Sequence, residues 1–132
     1  MKAFLLKTGR LDLALEADRV DRVVEMPPLF RLPQIPEPFA GVCLLDEKPV
    51  VILEPGTPGP PGGEAGYLVI VHSRSGVIGL PVSDVPTVLA VDRTGEDADD
   101  EPAADWQTGW VASRGSRWPL LEIDRLIPVQ CM

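Results

Sequence analysis

The 132-residue chain contains one histidine, two cysteines and no cluster of lysine or arginine. Each scarcity excludes a class of chemistry. Acid–base or nucleophilic catalysis needs a group that titrates near neutrality beside a suitable partner, and His72 ends an apolar run with no such neighbour in sequence. No catalytic residue is therefore expected. Cys43 and Cys131 form no CxxC pair, so neither a disulfide framework nor a zinc site is indicated, and Cys43, within Val42-Cys43-Leu44-Leu45, reads as a core thiol. Asp97, Asp99 and Glu101 have the alternate spacing of a calcium loop but lack its glycine and distal glutamate, so no metal is expected, and no cofactor is called for. The net charge of -8 repels phosphate backbones and anionic headgroups, which makes nucleic acid and membrane surfaces poor partners. Long apolar runs are also missing. The run 3–6 is broken by Lys7 and Arg10, too early for a signal-peptide core, and no later run has membrane-spanning length, so a cytoplasmic protein is expected.

Proline, by contrast, is abundant. Its 15 copies, with 12 glycines, punctuate the chain too often for long helices and favour short strands and turns. Hydrophobic residues at 45% and charged residues at 24% are near the values of ordinary globular domains, which argues against wholesale disorder. Apolar or β-branched runs occur at 3–7, 11–15, 20–26, 41–45 and 49–53, then at 67–72, 76–82, 85–91, 108–112 and 118–123, each bounded by turn residues. The two sets of five resemble each other. A shift of 65 lays 13–24 on 78–89, and a similar shift lays 41–48 on 109–116. In both copies a strand runs through a short helical turn into another strand, followed later by a hairpin with a polar tip. The pattern predicts an all-β fold made of two similar sets of five strands. Val20, Val23, Val42, Leu44, Ile52, Val69, Leu80, Val85, Val88, Val111 and Leu121 are expected to be buried.

Three stretches fall outside the repeat. Residues 54–66, with Pro55-Gly56-Thr57-Pro58-Gly59-Pro60-Pro61-Gly62-Gly63, read as a linker. Residues 94–105 hold six carboxylates and no base, which predicts a solvated loop, either solubilising or selective for a basic partner. The prolines from Pro27 to Pro38 read as a stiff connection, although Pro33-Gln34-Ile35-Pro36 also matches a PxxP ligand.

The chain resembles the CheW-like domain family. The resemblance is carried in order by Leu15-Glu16-Ala17-Asp18-Arg19-Val20-Asp21-Arg22-Val23, Phe39-Ala40-Gly41-Val42, Val50-Val51-Ile52-Leu53, Gly79-Leu80-Pro81-Val82-Ser83-Asp84-Val85 and Trp118-Pro119-Leu120-Leu121-Glu122-Ile123-Asp124. It implies a single domain over 1–132 of two small five-stranded SH3-like β-barrels packed as a pseudo-twofold repeat, with subdomains at about 1–54 and 67–132 joined by 55–66. It also implies a non-enzymatic adaptor of chemosensory signalling, coupling the regulatory domain of a CheA-type histidine kinase to the cytoplasmic tip of a chemoreceptor, in the cytoplasm and at receptor arrays. A ligand-binding or self-associating β module is the alternative. In the family the first hairpin commonly reads Asn-Leu-Arg-Gly, with the arginine at signalling contacts, whereas here the positions are Leu44-Leu45-Asp46-Glu47. A surface complementary to arginine would be repelled by these carboxylates. Two readings of the tip stand open: a docking site with altered charge, or a solvated turn. Val42, Leu44, Leu45, Asp46 and Glu47 are the candidate protein-binding residues of the first half. Trp110 and Trp118 are those of the second, where Trp106, Trp110 and Trp118 serve as core anchors unless one faces outward.

Overall fold

Each of the ten predicted stretches becomes a strand, and the glycines and prolines between them set the turns. A computed structural model describes residues 1–8, 11–30, 39–54, 66–94, 106–113 and 115–126. The PxxP segment, most of the linker, the acidic loop with Asp97, Asp99 and Glu101, and Cys131 lie outside the described residues. In chain order the strands are β1 (Lys2–Thr8), β2 (Leu11–Glu16), β3 (Val20–Glu25), β4 (Leu29–Phe30), β5 (Phe39–Leu45) and β6 (Lys48–Leu53). The second round is β7 (Tyr67–Ser73), β8 (Gly76–Val82), β9 (Thr87–Ala90), β10 (Asp92–Thr94), β11 (Gln107–Ser113) and β12 (Ser116–Leu121). A 3-10 turn, Ala17–Arg19, joins β2 to β3, and one helical turn, α1 (Ile123–Leu126), follows β12. The chain is all-β, as expected, but the short β4 and β10 raise each sheet to six strands, and the last strand stops at Leu121 before α1. The turn after β8 is not helical as its counterpart is. Val82 offers its carbonyl to the Gly66 amide, and Ser83 donates its amide to Lys7, so neither group closes a local turn.

The strands do not divide at the linker. Sheet I has the order β10-β11-β12-β2-β1-β9, and sheet II the order β3-β7-β8-β6-β5-β4. Each half of the chain thus contributes its first hairpin to the other half's sheet, so the sheets do not coincide with the expected subdomains 1–54 and 67–132. The expected repeat is obeyed in detail. Exchanging β1–β6 with β7–β12 converts one sheet order into the other. The registers follow: Phe4↔Leu15 matches Val69↔Leu80, and Val23↔Val69 matches Val88↔Phe4. The parallel pairs Leu120↔Ala14 and Ile52↔Gly79 also correspond, as do the bulges between Phe39 and Gly41 and between Gln107 and Gly109. At the first of these bulges a Cβ on Gly41 would stand 2.5 Å from the Phe30 carbonyl oxygen, so only glycine lets β4 approach β5 there.

Alternation within the strands produces three apolar clusters. Leu6, Leu13, Leu15, Leu53, Leu80, Leu121 and their neighbours fill the space between the sheets, with Ile123 and Leu126 of α1 covering one side. Ala3, Ala14, Val91, Val111 and Leu120 form the interior of barrel I, and Cys43, Val50, Ile52, Leu68 and Ile70 that of barrel II. Ile52, Val69, Leu80, Val111 and Leu121 are buried as expected, while Val20, Val23 and Val42 are half-buried. Leu44, Val85 and Val88 correct the expectation, being 54%, 62% and 45% exposed. Period-two alternation identifies a face but not its cover. Leu44 lies on the outer face of β5, Val85 in the loop after β8, and Val88 on the edge strand β9, where no neighbouring element among the described residues covers them.

Candidate protein-docking surfaces

Residues paired across neighbouring strands project from the same face of a sheet, so register alone assembles a surface. In sheet II, Ile78 pairs with Val51, Val51 with Val42, and Val42 with Phe30. The result is one apolar row across four strands. It begins at Ile78 in the core between the sheets and emerges through Val51, 37% exposed, to Phe30, 55% exposed. Leu44 stands beside this row opposite Pro49. Of the residues singled out in sequence, Val42 and Leu44 therefore belong to an exposed apolar face, which Phe30 and Val51 extend. Leu45 points the other way and packs on the interior of barrel II, so it supports the hairpin rather than presenting a surface.

Asp46 and Glu47 form the two-residue tip between β5 and β6, with φ of 52° and 67°. Positive φ at both central positions is what a hairpin of right-handed twist demands. Aspartate tolerates it, whereas for a glutamate it is strained. The tip is not an isolated pair of carboxylates. Arg22 Nη2 of β3 donates to Asp46 Oδ2 at 2.9 Å, joining one edge of sheet II to the hairpin near its other edge and closing the barrel. Sequence reading missed Arg22, because nothing in the local pattern brings residues 22 and 46 together.

Trp110 and Trp118 occupy opposite faces of sheet I. Trp118 pairs with buried Val111 and packs on the interior of barrel I, whereas Trp110, one residue along, faces outward at the position equivalent to Val42. The Arg117 guanidinium lies 4.2 Å from the Trp110 ring centroid, a cation–π contact that leaves the indole half-buried, and Trp110 Nε1 is buried without a hydrogen-bond partner among the described residues. The candidates of the two halves thus lie on different sheets and do not form one patch.

The titratable groups among the described residues show no such convergence. His72 Nε2 lies 3.1 Å from Asp21 Oδ1, but both side chains are exposed to solvent. Cys43 is fully buried in barrel II, where desolvation raises its thiol pKa and suppresses thiolate reactivity. Among the described residues, no helix is long and apolar enough to cross a membrane.

Comparison with known proteins agrees with this architecture. Among curated proteins, none matches the sequence. The fold is similar to that of the scaffolding protein TtCheW from Thermoanaerobacter tengcongensis, with a TM-score of 0.72 at 18% identity over 97% of this chain and 88% of that one. The family model of the CheW-like domain matches residues 2–131. Sequence and fold thus agree, and the chain belongs to the CheW-like domain family.

Proposed function

We propose that the chain is a non-enzymatic scaffold that couples a CheA-type histidine kinase to chemoreceptors in cytoplasmic arrays, docking through the outer face of β4, β5 and β6. The observation that carries this reading is the row Phe30, Val42 and Val51 with Leu44 beside it, an apolar face that a free monomer has no reason to expose. The charge at the tip also bears on the choice of partner. Arg22 supplies a guanidinium beside Asp46, so a positive group reaches the hairpin tip from β3 although the hairpin itself carries carboxylates. The tip presents both signs, with Glu47 and Asp21 adding negative charge, and this favours a partner whose facing surface is also mixed. Trp110 with Arg117 offers a second, smaller anchor on sheet I.

Titration of the full chain with the kinase regulatory domain, and separately with a receptor cytoplasmic tip, tests the reading. At least one is expected to bind at about tens of micromolar or tighter. Leu44→Asp should weaken that binding by about tenfold or more with unchanged unfolding, because the side chain is exposed and central to the face. Failure of the wild type to bind either partner would overturn the proposal.

A further inference from the structure

The internal repeat supplies a control that most proteins lack, since every feature of one barrel can be compared with its counterpart in the other. β3 and β9 are equivalent edge strands, each paired on one side only among the described residues. An open strand edge offers unpaired amides and carbonyls, and proteins usually guard it with charge or with a covering contact. β3 is guarded in both ways: it carries Asp21, Arg22 and Glu25, and Arg22 is ion-paired with the hairpin tip. β9 reads Thr87-Val88-Leu89-Ala90, has no charge, and stands beside exposed Val85 and Val88.

The space next to these edges differs in the same sense. In barrel II the interior beside β3 is filled by Ile70, Val24 and Val50, with Leu45 packed against them. The equivalent positions of barrel I are Leu5, Leu89 and Trp118, and the counterpart of Leu45 is a serine, Ser113. A groove of about 470 Å³ opens there, with Leu5, Val85, Leu89 and Trp118 as apolar walls and Asp12 and Asp84 at its rim. Lys7 also lines it. It lies opposite Asp12 across the β1–β2 ladder and 3.9 Å from Asp84, so the rim keeps an excess negative charge.

We propose that the free edge of β9 and this groove form a strand-addition site for an extended segment of a partner protein, whose groove-facing positions are apolar and then basic. The main chain of the segment pairs with β9. Every second side chain enters the groove, the apolar ones against Leu5, Leu89 and Trp118 and the basic ones at the end of the same row against Asp12 and Asp84. The charge balance selects a foreign basic segment over a second copy of this chain: each copy carries a net charge of -8, and the equivalent edge, β3, is charged and latched. The site is separate from the outer face of sheet II and stands whether or not that face binds a kinase or receptor.

The test uses the full chain, isotopically labelled, and a blocked valine–lysine octapeptide in which threonine alternates with valine, valine, lysine and lysine, so that valines and lysines share one face. Amide hydrogen exchange at Thr87–Ala90 and the Trp118 indole resonance are followed during titration. Saturable binding with at least about tenfold slower exchange in β9 is expected, together with at least about tenfold weaker binding of the valine–glutamate counterpart. Val85→Lys, on an exposed loop position, should weaken the valine–lysine peptide by a similar factor while leaving the spectrum of the folded chain unchanged. Unchanged β9 exchange at millimolar peptide, equal protection of β3, or protection that appears without peptide and grows with protein concentration would each overturn the proposal.

Discussion

Barrels I and II share one strand order and one set of registers, yet they solve the problem of a closed interior with different side chains. In barrel II the large residue is Leu68, opposite a small wall position, Gly79, where a Cβ would stand 2.9 Å from Leu68 Cδ1 and 3.0 Å from Ile52 Cδ1. In barrel I the residue equivalent to Leu68 is Ala3, the one equivalent to Gly79 is Ala14, and the freed volume is taken up by Trp118 where barrel II has Val50. Side-chain bulk is thus redistributed between equivalent positions, as core packing permits. The redistribution has a consequence at the surface. Leu45 and the Arg22–Asp46 pair close barrel II, whereas the bulk of barrel I sits on β12 and leaves a groove at β9. A repeated fold can thus keep its shared core symmetric and specialise its two mouths.

The largest expected effects lie in the shared core, where the comparison predicts equality. Leu15 and Leu80 are equivalent, both fully buried between the sheets. Leu15→Ala and Leu80→Ala should each cost about 2–5 kcal/mol, and the two values should agree within about 1 kcal/mol in urea denaturation. A large cost at one site with a small cost at the other would show that the two halves of the core are not energetically equivalent.

Such equivalence was legible in the sequence because it depends on period and spacing. The alternation of apolar residues and the shift of 65 depend only on residues near one another in the chain or in its copy, and both survive in the structure as matched registers. The exchange of hairpins between sheets was not legible, since β1 pairs with β2 in either arrangement and local pattern cannot say which sheet a hairpin joins. The burial of Leu44, Val85 and Val88 was misread for a related reason: a strand face that is apolar looks the same whether another element covers it or leaves it open. Of the candidate site, the apolar members Val42 and Leu44 could be found from sequence. The pairing of Arg22 with Asp46 could not, because it depends on the curvature that brings the two ends of sheet II together.

An intermediate effect is expected where the barrels differ. Leu45→Ser gives barrel II the residue found at the equivalent position of barrel I, removing apolar contact from the cluster of Cys43, Val50 and Ile52. The half-buried side chain should cost about 1–3 kcal/mol when replaced, less than the core leucines. Alkylation of the buried Cys43 thiol should become measurably faster, because the cover over its barrel is loosened. Loss of stability without any change in thiol accessibility would argue that Leu45 steadies the hairpin but does not close the barrel.

The smallest effect, and the one that bears most directly on closure, concerns the Arg22–Asp46 pair. Its side chains are 48% and 72% exposed, so solvent screens the interaction and the fixed geometry of two long groups opposes it. A double-mutant cycle of Arg22→Ala and Asp46→Ala should give a coupling of about 0.2–1 kcal/mol, towards the upper part of that range because the contact is short and the tip is conformationally restricted. Screening sets a second expectation: the coupling should fall as ionic strength rises from about 0.05 M to about 0.5 M, where the Debye length drops well below 10 Å. Asp46→Arg should be less stable than Asp46→Ala at low salt, since it places a second guanidinium against Arg22, and this difference should also shrink with salt. A coupling of zero at low salt would mean that the hairpin tip holds its place through its turn and Leu45 alone. The closed mouth of barrel II would then be a matter of packing, and the contrast with barrel I would rest on one leucine and one serine.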